Sequence, residues 1–328
     1  MAARILNTRQ RLAPAGGDDW TRRPERSNMF WLRVMTWISL KVGRRASRVV
    51  LYGIALYFLA FAPAARRMSR LYLQHVLRLP SPAEVGWRML FAHFLSFASV
   101  IHDRVYLVND RYELFDIRIH NQPLIDAMVA DGRGAFLIGA HLGSFEVLRA
   151  VGRRQPGLRI AMAMYEENAR KINAALAAIN PQAQQGVVAL GHVDSMIEVH
   201  ELLDEGVVVG MLGDRSFGGD ETIAVPFLGQ PAALPRGPFR MAAVMKRPVL
   251  FMTGLYLGGN RYDIHFEPLA DFSAIPAHGR AAAVEAAITR YAALLEQYCR
   301  KAPFNWFNFF DFWRASSSGR AEAPAKET

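Results

Sequence analysis

The chain has 328 residues, of which 52% are hydrophobic, enough for one large α/β domain with additional helices or for two smaller domains. Its 39 lysines and arginines outnumber its 29 acidic residues, and the resulting net charge of +10 favours contact with anionic lipid headgroups, nucleic acid or an acidic carrier protein. The single cysteine, Cys299, excludes an intrachain disulfide, and its apolar helical surroundings indicate a buried structural thiol.

The N-terminal third predicts a tail followed by a membrane-associated region. Residues 1–28 are rich in Arg, Pro, Gly and Asp, which is typical of a disordered segment, and they carry no cleavable signal pattern. In the helical region 29–103, aromatic-containing apolar stretches are flanked by arginines, and the run 49–65 has no charge. That run is at the short end of what spans a bilayer, and Pro63 shortens the continuous helix further. The sequence therefore leaves two modes of attachment, a transmembrane span or a helix that lies in the membrane interface. A pair of buried helices in a soluble domain is the alternative.

The remainder, 104–314, is the predicted α/β domain, followed by a disordered tail at 315–328. The alternation of apolar and polar residues predicts a β-hairpin over 104–119. After it, predicted helices alternate with predicted strands at 135–139, 158–163, 187–190 and 207–212. This order predicts a mostly parallel central sheet flanked by helices. A proline-stiffened loop (225–238), strands at 248–257 and 261–266, a helix near 277–301 and an aromatic run complete the domain.

The principal candidate site is the turn after the strand 135–139. His141 follows that strand and precedes a helix, so it lies at the carboxyl end of a strand, where open α/β sheets bind ligands. The helix N-terminus disfavours protonation of the imidazole. Glu146 is predicted to hold one ring nitrogen while the other faces a substrate hydroxyl, provided that His141 lies before the helix. Gly143 gives the turn the backbone freedom that this arrangement needs.

Two further polar positions are candidates for binding an anionic substrate. Asp214 and Arg215 follow the strand 207–212 and are predicted to reach the same crevice as His141, with Asp214 holding the guanidinium of Arg215 in place. Arg236 stands at the start of a helix, where it could bind an anion. The sequence contains no Gly-rich nucleotide fingerprint and no zinc-type Cys/His spacing, so we expect neither a cofactor nor a metal.

Taken together and in this order, four motifs resemble the lipid A biosynthesis (late) acyltransferase family, within the lysophospholipid/glycerolipid acyltransferase superfamily. The resemblance covers about residues 30 to 314. The motifs are His141-x4-Glu146, Gly213-Asp214-Arg215, Val225-Pro-Phe-Leu-Gly with Leu234-Pro-Arg-Gly-Pro238, and Pro303-x-x-Trp306-Phe307.

The resemblance implies a membrane-associated O-acyltransferase at the cytoplasmic face of the bacterial inner membrane. It implies a thioester of acyl carrier protein, or of CoA, as the donor and a hydroxyl of a lipid or glycolipid as the acceptor. His141 would be the base, Glu146 its orienter, and backbone N–H groups near Gly143 or the side chain of Arg215 would hold the oxyanion. The acceptor, whether lipid A or another envelope lipid, the acyl-chain length and the oligomeric state stay open.

Two alternatives remain at this stage. The protein could be an acyl thioester hydrolase, in which His141 activates water, or a non-catalytic scaffold that docks on anionic membranes. Nucleic acid is disfavoured as a partner because the arginines flank apolar runs and do not line a polar face with stacking aromatics.

Overall fold

The computed structural model describes residues 29–154, 157–180, 186–216 and 220–313. The two tails that the sequence predicts to be disordered, 1–28 and 315–328, lie outside these described residues. The α-helices are α1 (Met29–Val42), α2 (Arg44–Phe61), α3 (Pro63–Leu77), α4 (Trp87–Val108), α5 (Gln122–Asp131), α6 (Phe145–Arg154), α7 (Glu166–Ile179), α8 (Val193–Asp204), α9 (Gly237–Val244) and α10 (Arg280–Lys301). The strands are β1 (Asp116–His120), β2 (Ala135–Gly139), β3 (Ile160–Tyr165), β4 (Val187–Leu190), β5 (Val208–Leu212), β6 (Thr222–Phe227), β7 (Gln230–Pro235), β8 (Pro248–Tyr256) and β9 (Arg261–Asp271).

A central sheet of seven strands organises the described part of the chain, in the order β1-β9-β8-β2-β5-β3-β4. All neighbouring strands pair in parallel except β8 and β9, which are antiparallel. Strand β2 lies in the middle and is buried along its whole length, as its unbroken apolar sequence requires. The prediction of a mostly parallel sheet flanked by helices is therefore confirmed.

The predicted β-hairpin over 104–119 is wrong. Residues 104–108 form the last turn of α4, and β1 pairs in parallel with β9, far along the chain. The side chains from Val105 to Val108 are all buried, so the alternation of residue types there did not mark one exposed face. Helix α4 also runs continuously across the predicted boundary between residues 103 and 104.

The segment 225–238 contains regular structure where the sequence predicted a loop. Strands β6 and β7 form an antiparallel hairpin that turns at Leu228 and Gly229, and Pro226 faces Pro231 across it. Because this hairpin has no further strand beside it in the described sheet, the missing N–H groups of the two prolines leave no ladder partner unsatisfied.

The N-terminal helices are attached to the sheet through a buried carboxylate. Arg44 of α2 donates from Nε and Nη2 to the two oxygens of Asp103 in α4, at 2.8 and 2.9 Å. The hydroxyl of Tyr262 in β9 donates to the same carboxylate at 2.8 Å. Burying a charge is costly unless it is paired, so this contact fixes α2 and α4 relative to β9.

No single helix within the described residues is long and apolar enough to cross a bilayer. Helices α2 and α3 meet the length and composition requirements only together, and the chain bends by 96° between them. The bend falls at Pro63, the first residue of α3, where the sequence predicted an interruption.

Candidate active site

The turn that carries His141 is held from both sides. Phe307 donates its backbone N–H to the carbonyl of His141 at 2.8 Å, and the hydroxyl of Thr253 donates to the carbonyl of Leu142 at 3.0 Å. Gly143 has a φ of +73° and lies so close to the backbone of Gly254 that a Cβ atom would sit 2.0 Å from its carbonyl oxygen. The segment from β2 to α6 therefore has little freedom, and the imidazole projects from a fixed backbone.

Asp214, which follows β5, binds this turn directly. Its carboxylate accepts three hydrogen bonds: from the backbone N–H of His141 at 3.0 Å, from His141 Nδ1 at 2.9 Å and from Trp306 Nε1 at 3.0 Å. Because an ionised carboxylate only accepts, Nδ1 carries the proton and Nε2 carries the lone pair. The Asp214 side chain is 1% exposed and that of His141 is 34% exposed, so the ring can meet a ligand while its partner stays buried.

The electrostatics favour an ionised carboxylate beside a neutral imidazole. Burial raises the pKa of Asp214, but the electrostatic interaction and hydrogen bond with His141, the charge of Arg215 and the bond from Trp306 outweigh it and bring this pKa below its ordinary value. Burial and the charge of Arg215 lower the pKa of His141 below its ordinary value, against the opposing effect of Asp214. At neutral pH the arrangement can therefore accept a proton at His141 Nε2.

The prediction that Glu146 holds His141 is corrected. His141 Nδ1 is bound to Asp214, whereas Glu146 lies in the first turn of α6 and pairs with Arg149 Nη1 at 3.2 Å and with Arg104 Nε at 3.6 Å. Because α6 packs against α4, which carries Arg104, the buried carboxylate of Glu146 finds its partners on those two helices. Glu146 is therefore the partner of two arginines, whereas Asp214 is the partner of His141.

The backbone donors that we predicted for an oxyanion are already occupied. Gly143 donates its N–H to the carbonyl of Asn305 at 2.9 Å, and Ser144 donates to the carbonyl of Gly254 at 2.7 Å. These bonds hold the turn in place, and the position of Gly143 is explained by its close packing and its positive φ.

The arginines fall into two different environments. Arg215 is next to the pair formed by His141 and Asp214, hereafter the dyad, and its charge acts on both residues. Its guanidinium donates to the carbonyl of Phe307 at 3.0 Å and lies over the ring of Phe310. The carboxylate of Asp214 is hydrogen-bonded to His141 and Trp306, and it acts on Arg215 through its charge. Arg236 is paired instead with Glu221 and Glu285, at 3.3 and 2.7 Å.

Sequence reasoning missed two supporting residues in the aromatic run. Trp306 is fully buried and supplies the third donor to Asp214. Asn305 accepts from the N–H and donates to the carbonyl of Tyr256, at 2.7 and 3.0 Å, which locks the segment to the end of β8. An asparagine among buried aromatics was the available signal, because a buried amide must find partners.

A histidine held by a buried carboxylate at the carboxyl edge of a mostly parallel sheet has the geometry that a general base needs. A family profile described as bacterial lipid A biosynthesis acyltransferase matches residues 17–315, and the chain belongs to this family. The predicted resemblance is thereby confirmed, and the protein is a bacterial acyltransferase of a typically membrane-associated family. A search among curated proteins finds no match.

The close approach of Gly143 to Gly254 can be tested by its effect on stability. We expect Gly143→Ala to lower the free energy of unfolding by about 2–5 kcal/mol, because a positive φ and a clash with Gly254 act together. Gly229→Ala is the matched control: Gly229 has a φ of +81° with nothing within 4 Å of the added Cβ, so only about 1–2 kcal/mol should be lost. Urea unfolding of both variants measures the difference, and equal losses would contradict the close approach.

Proposed function

We propose that the protein transfers a fatty acyl chain from a thioester to a hydroxyl group of a lipid or glycolipid of the bacterial envelope. The observation that carries this proposal is the bond between His141 Nδ1 and the buried Asp214, which leaves the lone pair of Nε2 on a ring that is one-third exposed. A neutral imidazole oriented in this way is the group that an alcohol needs to become a nucleophile.

The proposed reaction begins when His141 Nε2 removes the proton from the acceptor hydroxyl. The resulting oxygen nucleophile attacks the thioester carbonyl and forms a tetrahedral oxyanion, which collapses with cleavage of the carbon–sulfur bond. The imidazolium returns its proton to the departing thiolate, so the products are the ester and a free thiol. Asp214 stabilises the transient imidazolium and keeps the ring in the required tautomer.

The oxyanion would be stabilised by the positive charge of Arg215. Its guanidinium is held by the carbonyl of Phe307 and by stacking on Phe310, so it is organised before the reaction begins. No acyl-enzyme is required, and Cys299 does not suit that role because it is fully buried, and burial raises the pKa of its thiol well above the ordinary value.

Glu146 would support the base indirectly. The charge of Arg104 lowers the pKa of His141, and Glu146 partly neutralises that charge through their contact at 3.6 Å. Removing the carboxylate would leave Arg104 and Arg149 less compensated beside the site. We therefore propose that Glu146 acts on His141 only through Arg104 and does not touch the substrate.

The donor we propose is acyl carrier protein, with CoA as the alternative, since both present an acyl thioester on a negatively charged carrier. The net charge of +10 would steer such a partner to the protein and speed their encounter. The acceptor would be lipid A or another envelope lipid that carries a hydroxyl.

The N-terminal helices are the proposed membrane contact. Large apolar side chains on this part of the surface are strongly exposed: Val49 (70%), Phe61 (65%), Trp37 (63%) and Trp87 (61%). On α2, Leu51 and Ala55 are buried while Tyr52 and Leu56 are about half exposed, so one face packs inside the protein and the other is free for lipid.

The division of α2 into a packed face and an exposed face favours attachment in the membrane interface over a transmembrane span. A helix with one face packed against α4 cannot be surrounded by acyl chains, so we propose that α2 lies in the membrane interface and does not span the bilayer. Lys41, Arg45 and Arg67 flank the apolar surface and suit anionic headgroups. We place the protein on the cytoplasmic face of the inner membrane, where acyl carrier protein is available.

Catalysis is tested by following a labelled acyl chain from acyl carrier protein to an envelope lipid extract. We expect His141→Ala to retain its fold and to lose about 10²–10⁴-fold in rate. Because the base must be neutral and its pKa is lowered below 6.5, the wild-type rate should rise with pH below that value and be level around neutrality. Free fatty acid released equally with and without lipid would instead indicate a hydrolase.

Membrane attachment is tested by co-sedimentation with vesicles that contain anionic phospholipid. We expect the double variant Tyr52→Glu, Leu56→Glu to bind at least about tenfold more weakly, since burying an apolar side chain contributes about 1.5–3 kcal/mol. Ile197→Glu is the matched control, because Ile197 is equally exposed (54%) but lies on α8. Unchanged binding of the double variant would contradict the assigned surface.

A further inference from the structure

A second group of potential ligand side chains lies at the β1 edge of the sheet. His120 of β1 is in register with His265 of β9, and His265 is in turn opposite Thr253 of β8. Asp263 lies two residues before His265, so both side chains project from the same face of β9. Backbone pairing therefore fixes two imidazoles and a carboxylate on one face of adjacent strands.

The distances within this group are close to those that a metal ion requires. His120 Nε2 is 3.1 Å from Asp263 Oδ2, and one donor atom from each of the three residues lies within 4.8 Å of the others. Zinc binds nitrogen and oxygen at about 2.0–2.2 Å, so tetrahedral donors are about 3.3 Å apart. Small rotations of side chains would close the remaining gap, and His120, which is 43% exposed, has room for them.

One ring nitrogen of His265 carries a lone pair, because it accepts a hydrogen bond from Lys301. Lys301 Nζ lies 3.2 Å from His265 Nε2, and since an ammonium only donates, this nitrogen is the acceptor. Lys301 is an exposed residue at the end of α10 and has a flexible stem, so it can withdraw from a competing cation. Its positive charge should nevertheless weaken cation binding, which provides a direct test.

We propose that His120, Asp263 and His265 bind a divalent transition-metal ion such as Zn²⁺ and thereby link strand β1 to strand β9. Two imidazoles and one carboxylate suit zinc, cobalt or nickel, whereas magnesium and calcium prefer oxygen ligands. Water would complete the coordination. The site is separate from the acyl-transfer dyad, since neither His141 nor Asp214 contributes a ligand, and it would act on the stability of the sheet edge.

The competing explanation is an ordinary ion pair between His120 and Asp263, with His265 stacked on His120 at a ring distance of 4.2 Å. Such a pair would be sensitive to salt and pH but would not bind Zn²⁺ tightly. A third donor should strengthen metal binding well beyond what two exposed donors achieve.

The test is a calorimetric titration of the purified full-length protein with Zn²⁺ after removal of metals by a chelator, together with a thermal melt. We expect one ion bound at this site with micromolar or tighter affinity and a rise in Tm. His120→Ala and Asp263→Asn, which alter partly exposed side chains, should each weaken binding at least about tenfold and reduce that rise. Lys301→Gln should bind Zn²⁺ more tightly than wild type.

His200→Ala is the matched control, because His200 lies 3.1 Å from Asp204 in an exposed pair with no third ligand in the described part of the chain. This variant should bind Zn²⁺ as the wild type does, and Mg²⁺ should not compete. The proposal is overturned if the wild type shows no Zn²⁺ binding at millimolar concentrations, or if His120→Ala and Asp263→Asn bind as tightly as wild type.

Discussion

The buried carboxylate of Asp214 is the constraint on which the rest of the site depends. Removing a carboxylate from water costs several kcal/mol unless hydrogen bonds compensate, and here three donors converge on it. Two donors belong to the turn after β2 and one to Trp306 near the end of the described chain. A single carboxylate therefore joins β5, the turn that carries His141 and the aromatic segment around Trp306. The same hydrogen bonds fix the tautomer of His141.

A second buried carboxylate, Asp103, connects the sheet to the helices that we assign to the membrane. It joins Arg44 of α2 to Tyr262 of β9, while the opposite face of α2 leaves its apolar side chains exposed. The proposed membrane surface and the proposed catalytic sheet are thus parts of one packed unit.

Local patterns in the sequence were sufficient to predict the core strands, but they were not sufficient to predict which charged side chains pair. The strands at 135–139 and 187–190 were predicted with their observed bounds, because apolar runs between polar or glycine positions leave few alternatives. The shared crevice of His141 and Asp214 also followed, since parallel strands carry their polar ends to one edge. Which carboxylate binds His141 depends on β2 lying beside β5, and sequence spacing favoured Glu146. The false hairpin at 104–119 has the same cause, since β1 takes its partner from β9.

The most direct test of this account is a double-mutant cycle on the acyl-transfer rate, with His141→Ala, Asp214→Asn and the two combined. If Asp214 acts only through His141, the double variant should be no slower than His141→Ala alone, because residues that work as a unit lose their effect together. Circular dichroism and thermal melts must show that each variant folds. Rate losses that multiply in the double variant would contradict the account, as would an Asp214→Asn enzyme that folds and turns over at the wild-type rate.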